Sequence, residues 1–302
     1  GGPPETEPWP APTRRNEVSV KDPVQPNHPL ESHHEGAGWW MREAVLAIGL
    51  VVLILGSMWI ATGTFPPMVV VESGSMMHDL EDGSIGAIDP GDLVLVINPA
   101  RVNIVTYAEA TQEGNKDFGY ESHGMPGDVI IYRKNGDSET PVIHRALLKA
   151  VANESGGWDV PGTPLINVQT VSITLDYPCH FHGHLTIVDW TPSHEGYLTT
   201  GDNTITNGCK IDQISATGQD SRNGLKDENG MPVTAVMDEW VVGVASTELP
   251  WIGAIKLLVS GTQGSVTANT WNNLALTIVL ILASPLIIDS ATARLRGPDE
   301  EE

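Results

Sequence analysis

Glu72-Ser73-Gly74-Ser75-Met76-Met77 is a short turn of small residues that comes directly after an apolar run. Gly74 allows a tight turn at little steric cost, which would push the Ser75 hydroxyl clear of the chain. A serine hydroxyl stays protonated at neutral pH and is a poor nucleophile alone. It needs a base within hydrogen-bond reach and donors aimed at the developing oxyanion. The rest of the chain can be searched for those partners.

Upstream, Trp39-Trp40-Met41-Arg42 opens an apolar run from Ala44 to Thr64. At 1.5 Å per residue, about 20 residues match a hydrocarbon core of about 30 Å. Residues 39–64 are therefore expected to form a first transmembrane helix, preceded by a polar tail, 1–38, without apolar periodicity. Arg14, Arg15, Lys21 and Arg42 lie before the span, which predicts a cytoplasmic N-terminus. A cleavable leader is the competing reading. The long tail, the length of the run and the absence of a small-residue cleavage site count against it. Downstream, Leu274 to Ile288 forms a second apolar run, interrupted by Pro285 and followed by Arg294 and Arg296. Residues 271–289 are expected to be a second span, which leaves 290–302 as an acidic cytoplasmic tail. The protein would then be a multi-pass plasma-membrane protein with residues 65–262 outside the cytoplasm.

That middle region carries short β-branched runs bounded by Gly, Pro, Asp and Asn. They are Met68–Glu72, Leu93–Ile97, Val129–Tyr132, Val142–Val151, Val168–Leu175, Leu185–Val188, Tyr197–Thr200 and Trp240–Ala245. The expected fold class is mostly β, an antiparallel β domain flanked by two transmembrane helices. Residues near 152–196 and 213–236 are polar and Gly-rich and read as loop insertions. The formal charge of −22, from 38 acidic and 16 basic residues, argues against nucleic acid and against docking on anionic lipid through a basic patch. Two cysteines, Cys179 and Cys209, would close a loop of about 30 residues if paired, worth about 3 kcal/mol. Two buried thiols are the alternative.

Val142-Ile143-His144-Arg145 places a histidine within a strand-like run, and Thr199-Thr200-Gly201-Asp202-Asn203 ends a strand in a turn that carries an acid. Each element alone is common. In order, Ser-Gly-Ser-Met, Gly127-Asp128-Val129-Ile130-Ile131-Tyr132, Val-Ile-His-Arg and Thr-Gly-Asp-Asn are a far more specific series. It resembles the type I signal peptidases (peptidase family S26), in the archaeal and endoplasmic-reticulum branch, where a histidine replaces the bacterial lysine. Pro90-Gly91-Asp92-Leu93-Val94 and Leu249-Pro250-Trp251-Ile252-Gly253 reinforce the likeness, which covers about residues 40–262 outside the loops. The resemblance implies a serine endopeptidase that cleaves signal peptides from exported preproteins. Ser75 would be the nucleophile, His144 the general base, and Ser73 with the Ser75 amide the oxyanion donors. The family places a first acid at Asp202. A second is usual about six residues on, where this chain has Gly208, so Asp212 after a small insertion is the other candidate. The resemblance implies small residues at the first and third positions before the cut. Expected partners are signal peptides, the lipid bilayer and the protein export channel, with no cofactor. The family usually has proline at the position of His78.

Lys134 and Lys149 are the nearby lysines that could form a Ser–Lys dyad. Lys149 is five residues from His144, which puts the two on opposite faces of a strand. His180, His182 and His184 would share one strand face, a spacing compatible with a metal, although the family needs none. Asn153-Glu154-Ser155 is a glycosylation sequon. A catalytically silent, membrane-anchored β domain that binds a ligand or metal is the alternative reading.

Overall fold

The computed structural model describes residues 1–2, 37–78, 83, 85–179, 184–207, 210–213 and 224–296. The expected tail at 1–38 thus falls almost wholly outside the described residues. So do residues 214–223 of the 213–236 insertion and the last residues of the acidic tail.

Two long apolar helices stand near the ends, α1 (Ala37–Thr62) and α5 (Ala268–Arg296). Within them Trp39–Thr62 and Ala268–Thr292 are long and apolar enough to cross a membrane. Their side chains lie largely exposed, Leu53 and Leu282 among them, as expected of surfaces that meet lipid rather than water. Pro285 sits inside α5 without ending it, in keeping with the tolerance of apolar spanning helices for proline. The second helix is longer at both ends than residues 271–289.

Between them the strands are β1 (Met68–Val70), β2 (Leu93–Ile97), β3 (Glu121–Ser122), β4 (Met125–Pro126), β5 (Val129–Tyr132), β6 (Val142–Ala152), β7 (Trp158–Asp159), β8 (Val171–Leu175), β9 (Leu185–Trp190), β10 (Gly196–Thr200) and β11 (Val241–Leu249). The short helices are α2 (Tyr107–Thr111), α3 (Thr204–Asn207) and α4 (Gly253–Ser260). Each of the eight β-branched runs coincides with a strand. The main sheet runs β1-β2-β11-β5-β6-β10, with β7 paired to β6, while β3–β4 and β8–β9 are separate hairpins. The paired strands are antiparallel.

Two expectations need correction. The chain is mixed rather than mostly β, at 34% helix and 25% strand, because the terminal helices are as long as they are. Residues 152–196 are also more than loop. Val171, Leu175, Leu185, Ile187 and Trp190 of the β8–β9 hairpin are buried with Leu147 and Leu148 of β6 in one core cluster. The polar residues on the outer face of that hairpin hid its buried alternation.

Sheet register positions the site. On β6, His144 stands opposite Ile130 of β5. Arg145 stands opposite Val129 of β5 and Thr200 of β10. Successive strand residues point to opposite faces, so this neighbouring pair must serve different partners.

Candidate active site

The Ser75 turn is a single 3-10 turn, Gly74–Met76. Met76 is only 1% exposed and packs with Val71, Ile88, Val94 and Val129. Burying that side chain stabilises the turn by about 2 kcal/mol and leaves Ser75 half-buried, lining a cleft of about 760 Å³. The reason for Gly74 differs from expectation. It is not among the residues with positive φ; instead, a Cβ there would lie 2.7 Å from Met77 Sδ.

His144 lines the same cleft, as do Ser73 and Asp212. Its Nδ1 lies 2.6 Å from Asp212 Oδ2. The same oxygen accepts from Tyr132 Oη at 3.0 Å and from Thr199 Oγ1 at 2.6 Å. Backbone bonding fixes Asp212 further, since its amide donates to Thr199 O at 2.9 Å. Burial is the largest influence on the Tyr132 hydroxyl and, with the Asp212 charge beside it, pushes its pKa well above the ordinary tyrosine value. Tyr132 therefore stays a donor to Asp212 at any working pH. Because Nδ1 faces a carboxylate, it carries the proton and Nε2 is left as the acceptor. Nε2 points towards the serine turn: a Cβ built on Gly201 would lie 3.1 Å from it and 2.5 Å from Ser75 O.

Among the described residues, the hydrogen bond of Ser75 Oγ runs to Ser73 Oγ (3.3 Å), and none joins it to His144. Such bonds are often long in a free enzyme and close in the substrate complex.

Asp202 does not meet His144. It is fully buried and takes a forked contact from Arg145, with Nε at 2.9 Å and Nη2 at 2.6 Å, and a hydrogen bond from Tyr177 Oη at 2.7 Å. Arg145 Nη1 donates to backbone carbonyls, including Gly127 O at 2.5 Å and Ser122 O at 3.0 Å. Burial alone would raise the Asp202 pKa. The Arg145 charge, the nearby His78 imidazole and the hydrogen bonds from Arg145 and Tyr177 outweigh it and hold the carboxyl far below the usual range. The two candidate acids thus separate: Asp212 orients His144, and Asp202 belongs to a buried ion pair beneath the cleft.

Two residues beside Asp202 act on the serine turn. Asn203 donates from its side chain to Gly74 O (2.7 Å) and from its amide to Ser75 O (2.9 Å). Gly201 lets the two turns touch, because any Cβ would collide with Ser75 O. The Gly-Asp-Asn spelling carries this signal, but the acid draws attention away from its flanks. The Pro90-Gly91-Asp92 and Pro250-Trp251-Ile252-Gly253 segments also meet. Trp251 N donates to Asp92 Oδ1 at 2.8 Å, and Gly253 packs so closely that a Cβ would lie 2.8 Å from Gly91 O. They brace the sheet below the serine turn and reach the cleft wall at Val71, whose amide donates to Asp92 O and whose carbonyl accepts from the Gly91 amide, both at 3.0 Å.

The lysines expected near the site are committed elsewhere. Lys134 pairs with Glu228 (3.0 Å) and Lys149 with Asp238 (2.7 Å). The lysine that lines the cleft is Lys210, two residues before Asp212. No strand-like run or motif of the sequence includes it, because it lies in the small insertion before Asp212. Of the histidine cluster, His180 and His182 fall outside the described residues, and His184 Nδ1 lies 3.2 Å from Asp176 Oδ1. Among the described residues no group of three or more His, Cys, Asp or Glu could hold a metal. Cys179 is disulfide-bonded, and Cys209 lies outside the described residues. Asn153 of the sequon turns its amide to both oxygens of Asp159 (2.9 Å).

No family model, curated protein or solved structure matches this chain. What the site can do must be argued from its own chemistry.

Proposed function

We propose that this protein is a membrane-bound serine endopeptidase of the type I signal peptidase kind, acting through Ser75, His144 and Asp212. One observation carries the reading: a serine on a rigid turn lines the same cleft as a histidine whose far nitrogen is held by a buried carboxylate. A silent binding domain has no need of that ordering, in which Nε2 is kept free on the serine side.

In the proposed reaction, His144 Nε2 takes the Ser75 proton as Oγ attacks the scissile carbonyl. Asp212 stabilises the imidazolium, which then protonates the leaving amine. Water hydrolyses the acyl ester with His144 again as base. Ser73 Oγ and the Ser75 amide would receive the oxyanion. The cleft wall beside Ser75 is Val69–Ser73, which includes β1, the end strand of the main sheet. An extended peptide can pair with such a free edge, so the backbone would supply affinity and the apolar cleft would select side chains. Two apolar helices, 39–62 and 268–292, would anchor the enzyme in the plasma membrane with the cleft on the outer side. A leader emerging from an export channel would then meet it at high effective concentration.

The test is cleavage of a leader-bearing preprotein in liposomes by the wild type and by Ser75→Ala. Cutting at the leader junction that disappears in the variant supports the reading; equal behaviour of the two ends it. His144→Lys tests the base: activity lost at every pH ties the chemistry to imidazole. Gly201→Ala tests the contact between the turns. Its Cβ would force Ser75 O away from the Gly201–Asn203 turn, and displacements of this kind lower rates at least about tenfold. The expected result is a lower kcat with little change in KM.

A further inference from the structure

His78 follows the nucleophile by three residues, and its Nε2 lies 3.6 Å from Asp202 Oδ2. Its ring lies against the β3–β4 hairpin, where a Cβ on Gly124 would stand 3.0 Å from His78 Cε1. The side chain is 31% exposed, whereas Asp202 is fully covered. The Gly201–Asn203 turn therefore grips the serine turn on both sides. Asn203 holds the carbonyls of Gly74 and Ser75, and Asp202 holds His78. The buried Met76 and Met77 hold the chain directly after Ser75, and the His78 side chain adds a tether one residue further on.

We propose that His78 is a positioning residue whose imidazolium ties the nucleophile turn to Asp202 and so keeps Ser75 in line with His144. The kinetic part rests on the peptidase reading above; the tether does not. Among the described residues, the charged groups facing His78 are Asp202 and, behind it, Arg145. On the hairpin side the next titratable groups are His123 and its partner Glu248, 3.2 Å apart. Asp202 remains ionised throughout the working range because Arg145 outweighs the effect of its burial, so the member of the pair that titrates is His78. An imidazole carries its charge at low pH and loses it as pH rises. The tether is then complete at low pH and lost as pH rises through the folded pKa.

Two measurements on the full chain in detergent test this. The first is the pH profile of leader cleavage for wild type, His78→Gln and His78→Lys, with thermal melting to confirm folding. At pH 6 the His78→Gln kcat should be about fivefold below wild type, the effect expected of a part-exposed ion pair of about 1 kcal/mol. The gap should close towards pH 9, and His78→Lys should hold wild-type kcat at pH 6. A gap that is absent, or the same at every pH, overturns the proposal. The second is a carbon-13 NMR titration of imidazole-labelled protein, with the His78 signal assigned by its loss in His78→Gln. A pKa above 6.5 supports the tether, and one at or below 6.5 overturns it. Should the wild type cleave nothing, the peptidase reading fails, while this titration still decides the tether.

Discussion

On the proposed mechanism, Ser75→Ala is expected to lower leader cleavage by about 10⁴-fold or more, and Asp212→Asn by about 10²- to 10³-fold, with neither changing the melting temperature by more than a few degrees. The serine variant loses the bond-forming atom, so what survives is positioning and any oxyanion stabilisation. The asparagine variant is the sharper test. His144, Tyr132 and Thr199 all converge on one oxygen, Oδ2. An amide oxygen placed there keeps all three bonds and keeps the proton on Nδ1. What disappears is the negative charge beside a histidine that becomes an imidazolium only as the reaction proceeds. A hydrogen bond to a charged group adds about 1.5–3 kcal/mol, and a water-poor cleft enlarges the effect. The loss should therefore fall in kcat, with KM unchanged, because the proposed mechanism draws on that charge in the transition state. Steady-state kinetics on a fluorogenic leader peptide would measure it. A variant with wild-type kcat would remove Asp212 from the mechanism.

How far the site was legible depends on what each residue signals locally. Ser75, His144 and the strands around them could be read because β-branched runs and a serine turn advertise themselves over a few residues. The choice between Asp202 and Asp212 could not be read, since both are acids beyond the same strand. It is settled by the alternation of β6, which sends His144 and Arg145 to opposite faces, and by Tyr132 and Thr199, whose hydroxyls meet Asp212 only after β5 and β10 flank β6. Arg145 was visible only as the neighbour of His144 in the Val-Ile-His-Arg run, and nothing local signals its four backbone carbonyl acceptors. Gly201 and Asn203 escaped notice because their work is done on the backbone of a turn more than 120 residues away. The β8–β9 hairpin was hidden by its polar outer face, and α4 by the shortness of its pattern.

Asp202→Asn is expected to destabilise the protein by about 3–5 kcal/mol at neutral pH, the largest effect on stability of any single change in the site. The argument turns on Arg145, which is fully buried together with Asp202. Burial disfavours its charge, yet the Asp202 charge and hydrogen bonds raise its pKa above the ordinary arginine value. An amide at 202 takes away the carboxylate paired with that buried cation and leaves only the more distant Asp128 charge, and the Tyr177 hydroxyl loses its charged acceptor. The sign with pH follows from the depressed pKa of Asp202. The contribution of this carboxyl is complete above its unfolded value of about 3.9 and fades as pH falls towards the folded one. The gap in unfolding free energy between wild type and Asp202→Asn should therefore persist from pH 8 to about pH 5, growing by about 1 kcal/mol or less over that range as His78 takes up its charge beside Asp202, and narrow below about pH 4. Denaturant unfolding at a series of pH values would show it. The comparison with Asp212→Asn separates the two acids, since one variant keeps its stability and loses kcat while the other loses stability first. If Asp202→Asn instead melts like the wild type, the ion pair contributes nothing to the fold, and the rigidity of the Gly201–Asn203 turn must come from its backbone contacts to Ser75 alone.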